Sequence, residues 1–290
     1  MQAVAAAHSE MLASVRGPVE IARWGEGPPV LLLHGAMGGW DQALLLARAA
    51  IGAEGFQFLA ISRPGYLRTP VTTGPTHASQ GDLSAAVLDA LGIRQAPVVA
   101  VSGGGPCALE FALRHPERCS ALVMIAACTA PVTRRVPLHF HLTMLMARIP
   151  PVLAWMRRKV ASDPDSVARR GIPDPVLRAQ TLNDPETGPL VREFLLSLVD
   201  RLPERLPGLR KDVALCRGIG RFPLEIIQAP ALIIHGTDDE AVPFAQSKAL
   251  AERLPHAELL PVPGGRHMTL FTHRALIQPR VREFLERHAH

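Results

Sequence analysis

The sequence predicts an α/β fold, in which a mostly parallel central sheet is flanked by helices and interrupted by a helical insertion. Short apolar runs such as 30–34, VLLLH, alternate with segments of helical spacing, as in sheets that are covered on both faces. The alternation stops after residue 130, and Pro-punctuated helical segments follow. The 290 residues, 48% of them hydrophobic, are enough to bury such a core.

The expected elements follow one another from residue 18. Predicted strands cover 18–24, 30–34, 56–62, 96–101, 120–127, 229–236 and 257–263, and predicted helices cover 41–52, 79–92, 105–119, 244–254 and 279–288. Asp41 is expected to cap the first of these helices, Gly52 to end it, and Pro279 to open the last one. The pattern divides the chain into an α/β core, 1–130 and 226–290, and a helical cap, 131–225.

Composition excludes several classes of protein. The formal net charge is +5, but no basic run is interleaved with aromatic residues, so no nucleic-acid partner is expected. The four cysteines form no CxxC pair and lie among apolar residues, which predicts buried free thiols without a zinc site or a disulfide framework. His139 and His141 are two residues apart, a spacing that does not favour metal binding on a helix.

No segment predicts stable insertion into a membrane. The N-terminal residues lack the basic start and the apolar centre of a signal peptide. The longest apolar run, 121–130, is too short to span a bilayer. A cytoplasmic protein is therefore expected, and the sequence leaves a homodimer open.

The stretch AVSGGGP at 100–106 joins a predicted strand to a predicted helix. Its Gly103, Gly105 and Ala108 satisfy a GxGxxA dinucleotide pattern. However, the next strand ends without the acid that such a site uses to bind ribose. A P-loop is disfavoured as well, because no lysine occurs before Lys159.

The remaining interpretation of this stretch is a nucleophile elbow, a sharp strand-to-helix turn that exposes a serine. Ser102 would occupy the turn, with small residues two before and two after it, Ala100 and Gly104. Gly103 would offer its backbone N–H to an oxyanion, and Gly105 would let the helix pack on the sheet. The motif alone is short enough to arise by chance.

An elbow serine needs a base, an acid and a second oxyanion donor, each at the carboxyl end of a strand. The acids Asp238, Asp239 and Glu240 follow one predicted strand, and His267 follows the next. The order Ser, Asp, His is the chain order of the α/β hydrolases. The sequence HGAMGG at 34–39 follows another buried strand and leaves backbone N–H groups free.

Five motifs in this order resemble the α/β-hydrolase superfamily, and in particular its small cofactor-free bacterial serine hydrolases with a helical cap. They are PPVLLLHGAMGG, AISRPGYLRTP, VVAVSGGGPCALEFALRHPERCSALVMIAA, APALIIHGTDDEAVP and VPGGRHMTLF. The resemblance implies the α/β-hydrolase fold with a helical cap insertion, and no metal or organic cofactor. The sequence departs from the family at Ala100, which replaces the first elbow glycine, and at Arg266, where a glycine often precedes the histidine.

The resemblance also implies roles for single residues. Ser102 would be the nucleophile, His267 the general base, and Asp239, selected over Asp238 by the pattern Gly-x-x-Asp-x-x-Val-Pro, the acid. The backbone N–H groups of Ala36 and Gly103 would form the oxyanion hole.

Other residues receive structural or pocket-lining interpretations. His34 is expected to brace the oxyanion loop, and Arg63 and Tyr66 to fix their own loop. Candidates for lining the acyl pocket are Met37, Trp40 and Met268, and core packing explains Met37 and Trp40 equally well. The apolar stretch 138–156 is expected to cover the core, with one face as a roof over the site.

These features predict a serine hydrolase that cleaves a carboxylic ester of a small molecule through an acyl-enzyme. A serine at the elbow disfavours haloalkane dehalogenases and epoxide hydrolases, which use Asp there. Carbon–carbon bond hydrolases, lactonases, aminopeptidases, thioesterases and perhydrolases keep the serine and stay open. From another class, a non-catalytic ligand-binding or receptor protein on the same fold is the alternative.

Overall fold

The computed structural model describes residues 7–132 and 145–289, and its strands form one eight-stranded sheet. The strands are β1 Ser9–Ser14, β2 Gly17–Trp24, β3 Pro29–Leu33, β4 Gln57–Ile61, β5 Ala96–Val101, β6 Cys119–Ile125, β7 Ala231–Gly236 and β8 Ala257–Val262. Their order in the sheet is β1-β2-β4-β3-β5-β6-β7-β8. The pairs β1–β2 and β2–β4 are antiparallel, and the other pairs are parallel.

The helices alternate with the parallel strands, except for a group between β6 and β7. They are α1 Trp40–Ala50, α2 His77–Ala90, α3 Gly105–Arg114, α4 Pro150–Ser162, α5 Pro164–Ala168, α6 Pro175–Asn183, α7 Thr187–Ser197, α8 Leu202–Arg217, α9 Phe244–Arg253, α10 Thr269–Thr272 and α11 Arg274–His288. Helices α4 to α8 make up the group between β6 and β7 and are called here the inserted helices. None of the helices in the described part of the chain is long and apolar enough to cross a membrane.

Two apolar clusters sandwich the sheet, because side chains alternate between its faces. In β3, Val30 and Leu32 face the cluster that includes α1 and α11. Leu31 and Leu33 face the cluster that includes α2, α3 and α9. Both faces of the strand are therefore buried, as its continuous apolar run predicts.

The parallel strands bring the loops that follow them to one edge of the sheet. These loops begin after β3, β5, β7 and β8, and they carry the HGAMGG segment, the elbow, the acids and His267. The sheet therefore gathers segments that lie far apart in the sequence, as open α/β sheets do where they bind ligands.

The predicted α/β-hydrolase fold is confirmed, with several local differences. The helix predicted for 105–119 ends at Arg114, and Cys119 already belongs to β6. Strand β1 was not predicted, because the three apolar residues of its sequence SEMLAS form only a short run and do not alternate with polar residues. Gly39 is the N-cap residue of α1, so Asp41 lies in the first turn rather than at the cap. Pro279 lies inside α11, which starts at Arg274. Burial of Ile277, Val281 and Phe284 offsets the backbone hydrogen bond that a proline removes.

The prediction for 138–156 is only partly open to comparison, since residues 133–144 lie outside the described part of the chain. Within 145–156, Leu145 and Trp155 are exposed, whereas Leu153 and Met156 pack against a small apolar cluster of α8.

Candidate active site

Ser102 lies at a strained turn between β5 and α3. Its φ of 50° falls in the left-handed region, which non-glycine residues rarely occupy. The turn is close to both neighbouring strands. A Cβ on Gly104 would lie 2.4 Å from the carbonyl oxygen of Leu33, and one on Gly105 would lie 2.7 Å from that of Cys128. Glycines are therefore required at these positions by close approach of the backbone.

His267, in the loop after β8, connects Ser102 to Asp239. Its Nε2 is 3.1 Å from Oγ of Ser102, and its Nδ1 is 2.7 Å from Oδ2 of Asp239. A carboxylate only accepts hydrogen bonds, so Nδ1 carries the hydrogen and Nε2 is free to accept the hydroxyl proton of the serine. The three side chains form one continuous hydrogen-bonded chain.

Asp239 is held in the loop after β7 by several donors. Its Oδ1 accepts hydrogen bonds from the N–H groups of Ala241 at 2.8 Å and Val242 at 3.0 Å. Its Oδ2 lies 3.2 Å from Nε2 of His235. Burial acts to raise the pKa of this carboxyl group, but the hydrogen bonds from His235 and His267 outweigh it and lower the pKa well below its usual range. The carboxyl group therefore stays ionised.

Asp238, the other acid considered from the sequence, lies elsewhere. It is exposed, and its Oδ1 accepts a hydrogen bond from the Thr237 hydroxyl group at 2.8 Å. The hydrogen bond to His267 is made by Asp239.

Ala36 and Gly103 border the same cavity as Ser102 and His267. A Cβ on Gly103 would lie 3.3 Å from the backbone nitrogen of Ala36, so the two residues are neighbours across the turn. The backbone nitrogen of Ala36 therefore lies close to Gly103, beside the cavity that Ser102 also borders.

His34 braces the loop that contains Ala36. Its Nδ1 lies 2.7 Å from the carbonyl oxygen of Gly35, and its Nε2 accepts the N–H of Arg63 at 2.9 Å. Burial, followed by the positive charge of Arg63, lowers the pKa of His34 well below its ordinary value. His34 is therefore a neutral structural side chain, as its position in the sequence predicts.

The cavity beside Ser102 has a volume of about 300 Å³. Its lining comes from the core loops and from α8, and comprises Ala36, Ser102, Gly103, Cys128, Val132, Asp212, Val213, Cys216, Arg217, Ala241, Val242 and His267. Met37, Trp40 and Met268 are not in this lining. Met37 packs against the apolar cluster of α8, and the other two pack against the core.

A buried ion pair joins the core to α8 beside the cavity. The guanidinium group of Arg63 donates to Asp212, with Nη2 2.5 Å from Oδ2 and Nη1 3.2 Å from Oδ1. The Tyr66 hydroxyl group donates to the same Oδ2 at 2.7 Å. Arg63 and Tyr66 do fix their own loop, but they also contact a helix more than 140 residues away in the sequence.

Sequence reasoning did not single out His235 or Asp212. His235 lies at the end of a buried strand, and a polar imidazole in that apolar run is the sequence signal that could have pointed to its contact with Asp239. Asp212 is one charged residue among several in a helix of mixed polarity, and nothing in its local sequence marks it. Within 7–132 and 145–289, no group of three or more His, Cys, Asp or Glu side chains is placed to hold a metal ion.

Comparisons with known proteins agree with this architecture. A family model described as the alpha/beta hydrolase fold matches residues 28–274. The chain is 28% identical over 271 residues to a 2-hydroxymuconate semialdehyde hydrolase from Pseudomonas putida, covering 90% of this chain and 88% of the relative. It is 25% identical over 256 residues to a pimeloyl-[acyl-carrier protein] methyl ester esterase from Aeromonas hydrophila, covering 88% and 94%.

A solved structure also shares this architecture. An alpha/beta hydrolase fold protein from Nakamurella multipartita superposes with a TM-score of 0.82 at 31% sequence identity, covering 96% of this chain and 98% of that one. The family match, the relatives and the sheet order agree, and the chain belongs to the alpha/beta hydrolase fold family.

Proposed function

We propose that this protein is a serine hydrolase that cleaves a carboxylic ester through an acyl-enzyme intermediate. The observation that carries the proposal is the hydrogen-bonded chain from Ser102 through His267 to Asp239. A strained serine, a histidine with a fixed tautomer and a buried ionised carboxylate are the groups that nucleophilic acyl transfer requires.

In the first half-reaction, Oγ of Ser102 attacks the ester carbonyl carbon while Nε2 of His267 takes the hydroxyl proton. The tetrahedral intermediate places its negative oxygen towards the N–H groups of Ala36 and Gly103. When the carbon–oxygen bond breaks, His267 gives its proton to the leaving alkoxide, and the alcohol departs. Asp239 stabilises the imidazolium ion of His267. The proton on Nδ1 of His267 stays there throughout.

In the second half-reaction, water attacks the acyl-enzyme and gives a proton to Nε2 of His267. A second tetrahedral intermediate uses the same oxyanion donors. Its collapse releases the carboxylic acid and returns the proton from His267 to Oγ of Ser102. The cycle consumes one water and requires no redox step.

We assign the inserted helices, within 131–225, to a cap that forms part of the substrate pocket. Helix α8 supplies Asp212, Val213, Cys216 and Arg217 to the cavity lining, so residues outside the α/β core contact the space beside Ser102. A small molecule is the substrate that suits a cavity of about 300 Å³.

Similarity to a 2-hydroxymuconate semialdehyde hydrolase supports carbon–carbon bond hydrolysis as a second candidate for the same catalytic groups. The methyl ester esterase among the relatives supports the ester. A panel of p-nitrophenyl esters and of vinylogous 1,5-diketones, assayed with one preparation, distinguishes the two by the ratio of their kcat/KM values.

The deciding experiment compares wild type, Ser102→Ala and Ser120→Ala on p-nitrophenyl acetate and butyrate, together with labelling by a fluorophosphonate. Ser120 is a matched control, because its Oγ has no hydrogen-bond partner within the described residues. Ser102→Ala is expected to lose at least about 10⁴-fold in kcat and all labelling, while Ser120→Ala keeps both. Turnover retained by Ser102→Ala would overturn the mechanism, and an unlabelled wild type would indicate a binding protein.

A further inference from the structure

The ion pair between Arg63 and Asp212 is almost completely buried. The side chains are 1% and 4% exposed, and one comes from the loop after β4 while the other comes from α8. Removing two charges from water is costly, and apolar residues of similar volume often stabilise a fold as well as a buried ion pair does. The position of this pair therefore points to a role other than stability alone.

Arg63 also contacts the segment that leads to Ala36. Its Nε donates to the carbonyl oxygen of His34 at 2.8 Å, and its Nη2 donates to that of Gly35 at 3.2 Å. The next residue along the chain is Ala36, whose N–H is the proposed oxyanion donor. One guanidinium group thus joins two consecutive carbonyl groups of the oxyanion loop to a carboxylate on α8.

Asp212 lies against the reacting centre as well as against Arg63. It lines the cavity together with Ser102 and Gly103, and its Oδ2 lies 3.7 Å from where a Cβ on Gly103 would be. Its carboxylate is shared by Arg63, the Tyr66 hydroxyl group and, at 3.6 Å, Nζ of Lys211. An unneutralised carboxylate here would oppose a developing oxyanion, and these contacts neutralise it.

We infer that Asp212 is a positioning residue that acts through Arg63 on the oxyanion loop, so that the Ala36 N–H is correctly aimed only while α8 lies against the core. This inference rests on the proposed serine hydrolase function. It makes oxyanion stabilisation depend on a contact with the inserted helices.

A second ion pair on the same helix supplies the control. Arg205 of α8 pairs with Asp41 of α1, with Nη2 2.5 Å from Oδ2 and Nη1 3.2 Å from Oδ1, and the Arg205 side chain is fully buried. This pair also holds α8 to the core, but the hydrogen bonds of Arg205 among the described residues go to Asp41 and to the carbonyl oxygen of Asp200, not to the carbonyl groups of His34 and Gly35 that Arg63 holds. If Asp212 only anchored the helix, breaking either pair would have the same effect.

The experiment compares Asp212→Asn with Asp41→Asn. Active sites are counted by fluorophosphonate labelling, so that kcat refers to folded enzyme, and the affinity for a trifluoromethyl ketone reports on the oxyanion hole. For Asp212→Asn we expect kcat to fall by about 10- to 100-fold, KM to stay within about threefold, and ketone affinity to fall in parallel with kcat. For Asp41→Asn we expect kcat and ketone affinity within about threefold of wild type.

If Asp212→Asn does not fold, the double variant Arg63→Met/Asp212→Leu decides the question by the same criteria, because it removes both buried charges together. Wild-type kcat and ketone affinity in the variant that folds would overturn the inference. An equal loss of kcat and ketone affinity in Asp41→Asn would overturn the inference too. Failure of the proposed function is distinguished by the wild type, which would then show neither labelling of Ser102 nor ester turnover.

Discussion

His235 and His267 contact the same carboxylate oxygen, Oδ2 of Asp239, at 3.2 and 2.7 Å. Nε2 of His235 also lies 2.9 Å from the carbonyl oxygen of Val242, which can only accept, so this nitrogen carries a hydrogen. Nδ1 of His235 accepts from the Ser247 hydroxyl group at 2.6 Å. A buried second histidine thus holds the acid in place behind the proposed general base.

Replacing this histidine tests its role. His235→Phe removes a donor to Asp239 while keeping a buried ring, and we expect kcat/KM to fall by about tenfold or more. Ser247→Ala is the control, because it leaves Nε2 of His235 as a donor, and kcat/KM should change by less than about threefold. Ester hydrolysis by His235→Phe at the wild-type rate would contradict the prediction.

Replacement of Asp239 and replacement of Asp238 should have very different effects on kcat. Asp239→Asn leaves the geometry but favours the wrong tautomer of His267, and kcat is expected to fall by about 10⁴-fold. Asp238→Asn changes only an exposed side chain that bonds to Thr237, and kcat should stay within about twofold of wild type. Steady-state kinetics with one p-nitrophenyl ester checks both. A large loss in Asp238→Asn alone would reverse the assignment of the acid.

Asp82 predicts a pH-dependent contribution to stability. This residue of α2 accepts hydrogen bonds from Arg114 at 2.7 and 3.1 Å, and they lower its pKa to about 2. Because the pKa is lower in the folded state, the stabilisation is present above the unfolded value near 3.8 and is lost as the pH falls towards 2.

We therefore expect Asp82→Asn to lower the free energy of unfolding by about 1 kcal/mol at pH 7, a figure that allows for solvent screening of the half-exposed Arg114. The difference from wild type should shrink between pH 5 and pH 3, measured by urea unfolding at each pH. If the difference in the free energy of unfolding grew towards acid pH, the predicted direction of the pH dependence would be wrong.

Close backbone approach at the elbow predicts a strong effect of one methyl group. Gly104→Ala would bring a Cβ to 2.4 Å from the Leu33 carbonyl oxygen, and we expect a loss of at least about 2 kcal/mol in the free energy of unfolding. Gly220→Ala is the matched control, because nothing lies within 4 Å of its Cβ position, and it should change stability by less than about 0.5 kcal/mol. Thermal unfolding of both variants gives the comparison.

Most of the sheet could be predicted from the sequence, because buried parallel strands are continuous apolar runs and the loops after them carry the recognisable motifs. Strand β1 could not, since it pairs only with β2 at the edge of the sheet, and its sequence SEMLAS has neither a long apolar run nor strict alternation. The start of α11 was predicted wrongly at Pro279. The burial of neighbouring side chains in α11 is a tertiary effect that local propensity does not contain.

The residues of the candidate site also differ in whether the sequence could predict them. Ser102, Asp239 and His267 were singled out because each belongs to a motif at the end of a strand, and the structure brings them together. Asp212 was missed because its partner Arg63 is 149 residues away, and pairing over that distance leaves no periodic pattern in the chain. Single contacts between the core and the inserted helices are visible only in three dimensions.

The inserted helices leave and rejoin the core at two strands that pair directly, β6 and β7. An insertion with adjacent ends can be exchanged for another of different length without reordering the sheet. On our proposal that these helices form part of the substrate pocket, this segment is where evolution or engineering would change substrate choice. The contact between Arg63 and Asp212 sets a condition on such exchange. A transplanted segment must either bring its own carboxylate to Arg63 or be accompanied by a change at residue 63, so these two positions should vary together among relatives.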